Sequence, residues 1–240
     1  MADDAAPPML TAVLEVARRQ LGEVGPTALS LRSIAREIGV VPSALYRYLP
    51  GREAILTQLI QTGYERLAAA VREAEEAVPR QDHLGRWLTI WRATRDWALA
   101  HPHEYALLYG TPVVGYAAPS STIEPATAVV LMLARVAIEA HAAGARPAAE
   151  TQPELAQELR DDARTIQDAL PRLGVEAAMP SDPQLVLLVV DAWTTLFGAI
   201  SFELFGHYER SITARGAHLE ALAQRRAAEL GIVAAAPSTG

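Results

Sequence analysis

The stretch 29-LSLRSIAREIGVVPSALYRYLPGR-52 decides the fold. Within it Leu31, Ile34, Ala35 and Ile38 recur at the spacing of one helical face. Ser30 stands just ahead of that run as its N-cap. Gly39 closes the helix, because a helix end favours the residue that enters the left-handed region without strain. Pro42 opens a second helix, where its fixed φ and missing N–H do no harm. Leu45 and Leu49, four residues apart, point inward, and Ser43, Ala44, Tyr46, Arg47 and Tyr48 cover the other faces. Helix, tight glycine turn, helix is the layout of the helix-turn-helix, whose second helix enters the major groove of DNA. Periodicity alone fits two packed helices of an ordinary all-α domain equally well.

The residues themselves separate these readings. LRSIAREIGVVPSALYRYLPGREAIL (31–56) resembles the DNA-binding region of TetR-family transcriptional regulators of the TetR/AcrR type. There an IA…GV…alYryF…K/R-e-lL pattern spans the second helix, the recognition helix and the start of the fourth. Leu49 stands where phenylalanine is usual and Arg52 where lysine is common, each keeping the physical role. The resemblance implies that Thr27 and Ser30 touch phosphates, a role that hydroxyls and helix N-termini suit. Arg32 then lies near DNA in the first turn of its helix. Ser43 and Ala44 occupy the turn that reaches base edges, Ala44 against a thymine methyl. Tyr46, Arg47 and Tyr48 contact bases or phosphates, and Arg52 a phosphate; for Tyr48 the competing role is packing on the fourth helix.

Working outward, residues 1–8 carry no apolar period and read as an unstructured tail. Leu10, Val13, Leu14, Ala17 and Leu21 form one face of a first helix, ended by Gly22 and Gly25-Pro26. After Pro50-Gly51 a long helix is expected over 52–78, with 73-EAEEAVPR-80 as its solvated end. This helix is the expected link between reader and body. The expected architecture is all-α: an N-terminal three-helix bundle with the helix-turn-helix (1–52), then a helical ligand-binding and dimerisation domain (53–240).

The body holds further helices at about 83–100, 103–109, 125–143, 153–170, 183–206 and 207–230. Its 100-AHPHEYALLYGTP-112 resembles an HP-x-x-Y-x-L-x-x-g-P stretch of TetR-like regulators with the C-terminal domain called WHG. WTTLFGAISFELFGH (193–207) is similar to the signature helix of that domain, with Phe197 where histidine is often found. The resemblance implies a homodimer through helices 183–206 and 207–230, which matches two readers to a palindromic operator. The helix over 183–206 is apolar enough for a membrane span, but Asp191, Glu203 and the lack of flanking basic residues argue for a buried helix and no membrane.

Charge is distributed unevenly. The net charge is −7, all 21 basic residues are arginine, and cysteine is absent. Residues 26–52 carry Arg32, Arg36, Arg47 and Arg52 against Glu37, a local +3, while 61–240 carry 15 arginines against 22 acids. A basic reader on an acidic body limits non-specific DNA binding. No signal peptide or disulfide framework is recognisable, so a cytoplasmic protein is expected.

Large aromatic residues gather in the body. Trp87, Trp91, His101, Tyr105, Tyr109, Met132, Trp193 and Phe197 are the expected lining of a pocket for a hydrophobic effector, with Asp96, Thr194 and Glu203 as further polar candidates. Each could equally be core. HPH at 101–103 beside Glu104 lacks the i, i+4 spacing of helical metal ligands, and no nucleophile elbow, P-loop or dinucleotide fingerprint is present. Neither catalytic residues nor a metal or cofactor are expected. The expected function is a ligand-responsive repressor. The competing readings are an effector-binding or protein-interaction module outside transcription, and a helical enzyme.

Overall fold

The computed structural model describes residues 8–147, 155–175 and 182–234; the remaining residues, including 1–7 of the expected tail, lie outside that description. Ten α-helices and no strand occur among the described residues. They are α1 (Pro8–Ala28), α2 (Leu31–Ile38), α3 (Pro42–Tyr46), α4 (Arg52–Glu76), α5 (His83–Ala100), α6 (Pro102–Tyr109), α7 (Ile123–Ala142), α8 (Gln157–Ala169), α9 (Pro183–Leu204) and α10 (Arg215–Glu229). The helices group into two compact units. One holds the described residues of Met1–Arg66 and Ala100–Ala126, the other those of Leu67–Leu99 and Thr127–Gly240. The boundary expected after Arg52 falls inside the first unit.

The first unit is built on the pattern read from its sequence. The helical run of α1 breaks at Gly25, whose φ of 74° takes the chain out of the helix just ahead of Pro26. Leu31, Ile34 and Ala35 of α2 and Leu45 of α3 are buried against Val13, Ala17 and Leu21 of α1 and Ile55, Leu56 and Leu59 of α4. Burial of this apolar stripe is what holds such short helices, since five to eight residues of isolated helix are unstable in water. Leu107 of α6, with Val113 and Tyr116 beyond it, packs on the same core. A Cβ on Gly22 would stand 3.0 Å from the His103 ring, so α1 approaches α6 closely at that point.

In the second unit Trp87 and Trp91 of α5 are fully buried, and the Trp87 indole N–H donates to the Ala223 carbonyl of α10 at 3.0 Å. Arg95 of α5 donates to both carboxylate oxygens of Glu203 on α9, at 2.8 and 2.6 Å, and Arg92 to Glu220 on α10. Helices α9 and α10 pack on one another, and α8 lies along α9.

Two expectations are corrected here. The end of α4 is not wholly solvated: Glu75 is buried and paired with Arg86, itself 1% exposed, which also donates to Glu139 at 2.5 Å. Burial works against the Arg86 charge, but its hydrogen bonds to Glu139 and Glu75 more than offset this and raise its pKa. The alternation of acids in 73–80 concealed the inward one because its partner comes from another helix. The last helix begins at Arg215 rather than at residue 207. Gly206 and Arg210 adopt φ of 79° and 63°, a left-handed conformation that no α-helix passes through.

Candidate DNA interface and effector cavity

The candidate DNA interface sits on the first unit. Ser30 takes an extended conformation and its hydroxyl accepts from the Ser33 N–H at 3.1 Å, capping α2. Gly39, at φ 80°, returns its N–H to the Ala35 carbonyl and turns the chain toward Pro42. With Leu45 and Leu49 buried, the polar residues of the segment are forced outward: Ser43, Tyr46, Arg47 and Tyr48 are exposed, and Ala44 is half-buried beside them. Thr27 and Arg32 are exposed too.

Two of these side chains are organised as a pair. Arg47 donates to the Tyr48 hydroxyl at 2.7 Å, and its guanidinium carbon lies 4.9 Å from the Tyr48 ring centroid. Cation–π contact and hydrogen bond together limit the freedom of both chains before any ligand arrives. Tyr48 therefore faces outward beside Arg47 rather than sinking into the core. Arg52 is engaged differently. Its Nε and Nη2 both donate to the Pro26 carbonyl, at 3.1 and 3.0 Å, which ties the first turn of α4 to the segment after the kink of α1.

The expected pocket residues divide between the units. In the first, Tyr105 and Tyr109 meet at 5.0 Å between ring centroids, and Tyr64 meets Tyr109 edge-on at 5.7 Å. Burial pushes the Tyr109 phenol far above its ordinary range, with Tyr64 and Tyr105 adding to the effect. His101 stands 3.2 Å from Nη2 of Arg66, whose Nη1 binds both oxygens of the buried Glu104. In the second unit Trp87 and Trp91 stack 6.4 Å apart in the core, Met132 is buried, and Trp193 meets Phe197 edge-on at 6.4 Å. Glu203 is taken by Arg95, the Thr194 hydroxyl donates to the Val190 carbonyl, and Asp96 is exposed.

A cavity of about 240 Å³ lies inside the second unit, between α7, α8 with the short 3-10 turn after it, and α9. Val130, Leu131, Ala134 and Ile138 wall it from α7, Ile166 and Ala169 from α8, and Leu185, Val186 and Val189 from α9. Of the eight residues expected to line a pocket, Trp193 reaches this one. The aliphatic walls were missed because a Val, Leu or Ile facing a void is written the same way as one facing a neighbour. The available signal was volume: Ala134, Ala137 and Ala169 all face inward, and three small residues around one space leave it unfilled.

Residues 13–59 match the family described as bacterial regulatory proteins, tetR family. Residues 87–226, more than half of the chain, match the tetracyclin repressor-like C-terminal domain. The chain belongs to the TetR family. HTH-type transcriptional regulators of Mycobacterium bovis and Mycobacterium tuberculosis are 36% identical to this TetR-family chain over 205 residues, covering 82% of it and 80% of their own length. The crystal structure of regulatory protein SCO4313 superposes with a TM-score of 0.69 at 27% identity, covering 92% of this chain and 98% of that one. A tetR-family bacterial regulatory protein from Rhodococcus RHA1, at 13% identity and a TM-score of 0.59 over 96% of this chain and all of its own, shares the fold. This TetR-family member is thus a helix-turn-helix transcriptional regulator and not an enzyme, and the reading as a module outside transcription falls away.

Proposed function

We propose that the chain is a ligand-responsive repressor, released from its operator by a small hydrophobic molecule. The observation that supports this most directly is an apolar cavity in a chain that also carries an exposed recognition segment. Ser43, Ala44, Tyr46, Arg47 and Tyr48 read or grip the major groove, with Thr27, Ser30 and Arg32 on flanking phosphates. The protein works as a homodimer through α9 and α10. Two of its three phenylalanines, Phe202 and Phe205, are about half exposed at the end of α9, apolar surface that a second copy would cover. Two copies about a two-fold axis place two readers on a palindromic site.

Helix α4 contributes residues to both units, so a shift of that helix is the proposed route from effector to reader. For release, the effector must bind the DNA-free form more tightly, and a coupling of about 1–3 kcal/mol gives a useful switch. The test is fluorescence anisotropy of DNA from upstream of the protein's own gene, at several salt concentrations, with and without a panel of uncharged hydrophobic compounds. Binding that is specific, and weakened by at least one compound, supports the proposal. Specific binding that no compound alters overturns the ligand-responsive part.

A further inference from the structure

The chemistry of the cavity walls restricts what can occupy it. Every described residue around it is uncharged, and all but Thr127 and Trp193 are aliphatic. A carboxylate or ammonium placed inside would lose its hydration and meet no opposite charge; the polar groups of the wall are the Thr127 hydroxyl and the Trp193 indole N–H, a neutral donor that is buried without a hydrogen-bond partner. The cover offers an anion little more: α8 and the turn after it carry Glu158, Asp161, Asp162 and Asp168 against Arg160, Arg164 and Arg172. Aromatic stacking has little to build on, since Trp193 is the single ring among the described wall residues. An apolar cavity of about 150 Å³ stays dry and accepts benzene. By proportion, 240 Å³ accommodates about ten non-hydrogen atoms.

The mouth is marked as well. Ile166 and Leu173 line the cavity yet each remains 37% exposed. Together with Leu159, 44% exposed, they recur every seven residues along α8 and the turn that follows, so they lie along one side of this cover. An occupant entering beneath α8 would cover Ile166 and Leu173 on their open side and complete the seam between α8, α7 and α9. We infer that this cavity binds an uncharged aliphatic molecule of about ten non-hydrogen atoms, seated between α7 and α9 and covered by Ile166 and Leu173 of the α8 segment. This deepens the ligand-responsive reading and rests on it.

The test uses the full-length protein and straight-chain alcohols as probes. Calorimetry and thermal melting with hexanol, octanol, decanol and dodecanol should show binding that tightens about fourfold per added CH₂, and levels off once the chain exceeds about ten heavy atoms. Octanoate, the octanol chain with a carboxylate, should bind at least about tenfold more weakly than octanol. Octanol should change the tryptophan emission of the native protein, and Trp193→Phe should remove that change without removing binding. Ala169→Phe fills the space from a half-buried position and should raise the melting temperature while abolishing the octanol response; Ala134→Leu does the same from α7.

Absence of octanol binding overturns the inference, as does octanoate binding as tightly as octanol. An octanol effect that disappears as protein concentration rises also overturns it, because a second copy of the chain is then the occupant. Binding of octanol with operator affinity unchanged leaves the site standing and overturns the regulatory reading instead.

Discussion

The recognition segment and the cavity are built on opposite plans. Around α2 and α3 every buried residue meets another, and the side chains proposed to contact DNA are those the core pushes out. Ser43, Tyr46 and Arg47 are exposed because Leu45 and Leu49 are not. Around the cavity the buried residues face empty space, and their shape matters more than their identity. A DNA reader needs particular hydrogen-bonding groups at particular places. A site for an aliphatic molecule needs only volume and the absence of charge. The same residue types therefore signal nothing in one region and everything in the other.

One like-for-like substitution breaks or sustains this contrast. Leu45 in the reader and Leu185 on the cavity wall are both fully buried. Leu45→Ala removes contacts on all sides and should cost about 2–5 kcal/mol, toward the upper end. Leu185→Ala should cost at least about 1 kcal/mol less, since a side chain bordering a void has no partner atoms there to lose. Chemical denaturation of both variants measures the difference. Equal losses would mean that the cavity walls close up in solution.

Legibility followed the same division. The N-cap at Ser30, the left-handed Gly39, Pro42 at the head of α3 and the inward leucines were all readable, because each is a local rule acting over one turn of chain. The pairing of Glu75 with Arg86 was not, because it joins residues of different helices. The start of α10 was missed for another reason. Arg210 is not a residue that announces a left-handed turn, so nothing in HYERSITAR marks the break. Aromatic density drew attention to Trp87 and Trp91, yet large rings fill cores more often than they line spaces, and both are packed inside the second unit.

A second prediction separates surface function from core stability within the reader. Arg47→Ala should weaken operator binding by about 1–3 kcal/mol. Its hydrogen bond to Tyr48 is exposed and adds little to stability, so the melting temperature should stay within error of the parent. The molecular mass in solution should also match that of the parent. Retained operator affinity at fixed salt would remove Arg47 from the interface and leave Tyr46 as the better candidate for that contact.

Arg52 gives the smallest effect and the finest distinction, because its charge suggests DNA and its geometry suggests structure. The two donors on the Pro26 carbonyl hold the loop before α2 to the head of α4. Hydrogen bonds from a charged group, partly exposed as here, contribute about 1 kcal/mol. Arg52→Met should lower stability by about that amount and loosen the register of α2 against α4. If clamping is its whole task, the slope of log affinity against log salt stays where it was. If Arg52 also neutralises a phosphate, the slope falls by about 1 for each subunit bound. Arg52→Lys sharpens the result. A lysine keeps the positive charge but cannot present two fixed donors to one carbonyl. A clamp alone predicts that Met and Lys both lose stability and both keep the slope, whereas a phosphate contact predicts that Met lowers the slope and Lys preserves it, with stability lowered in both.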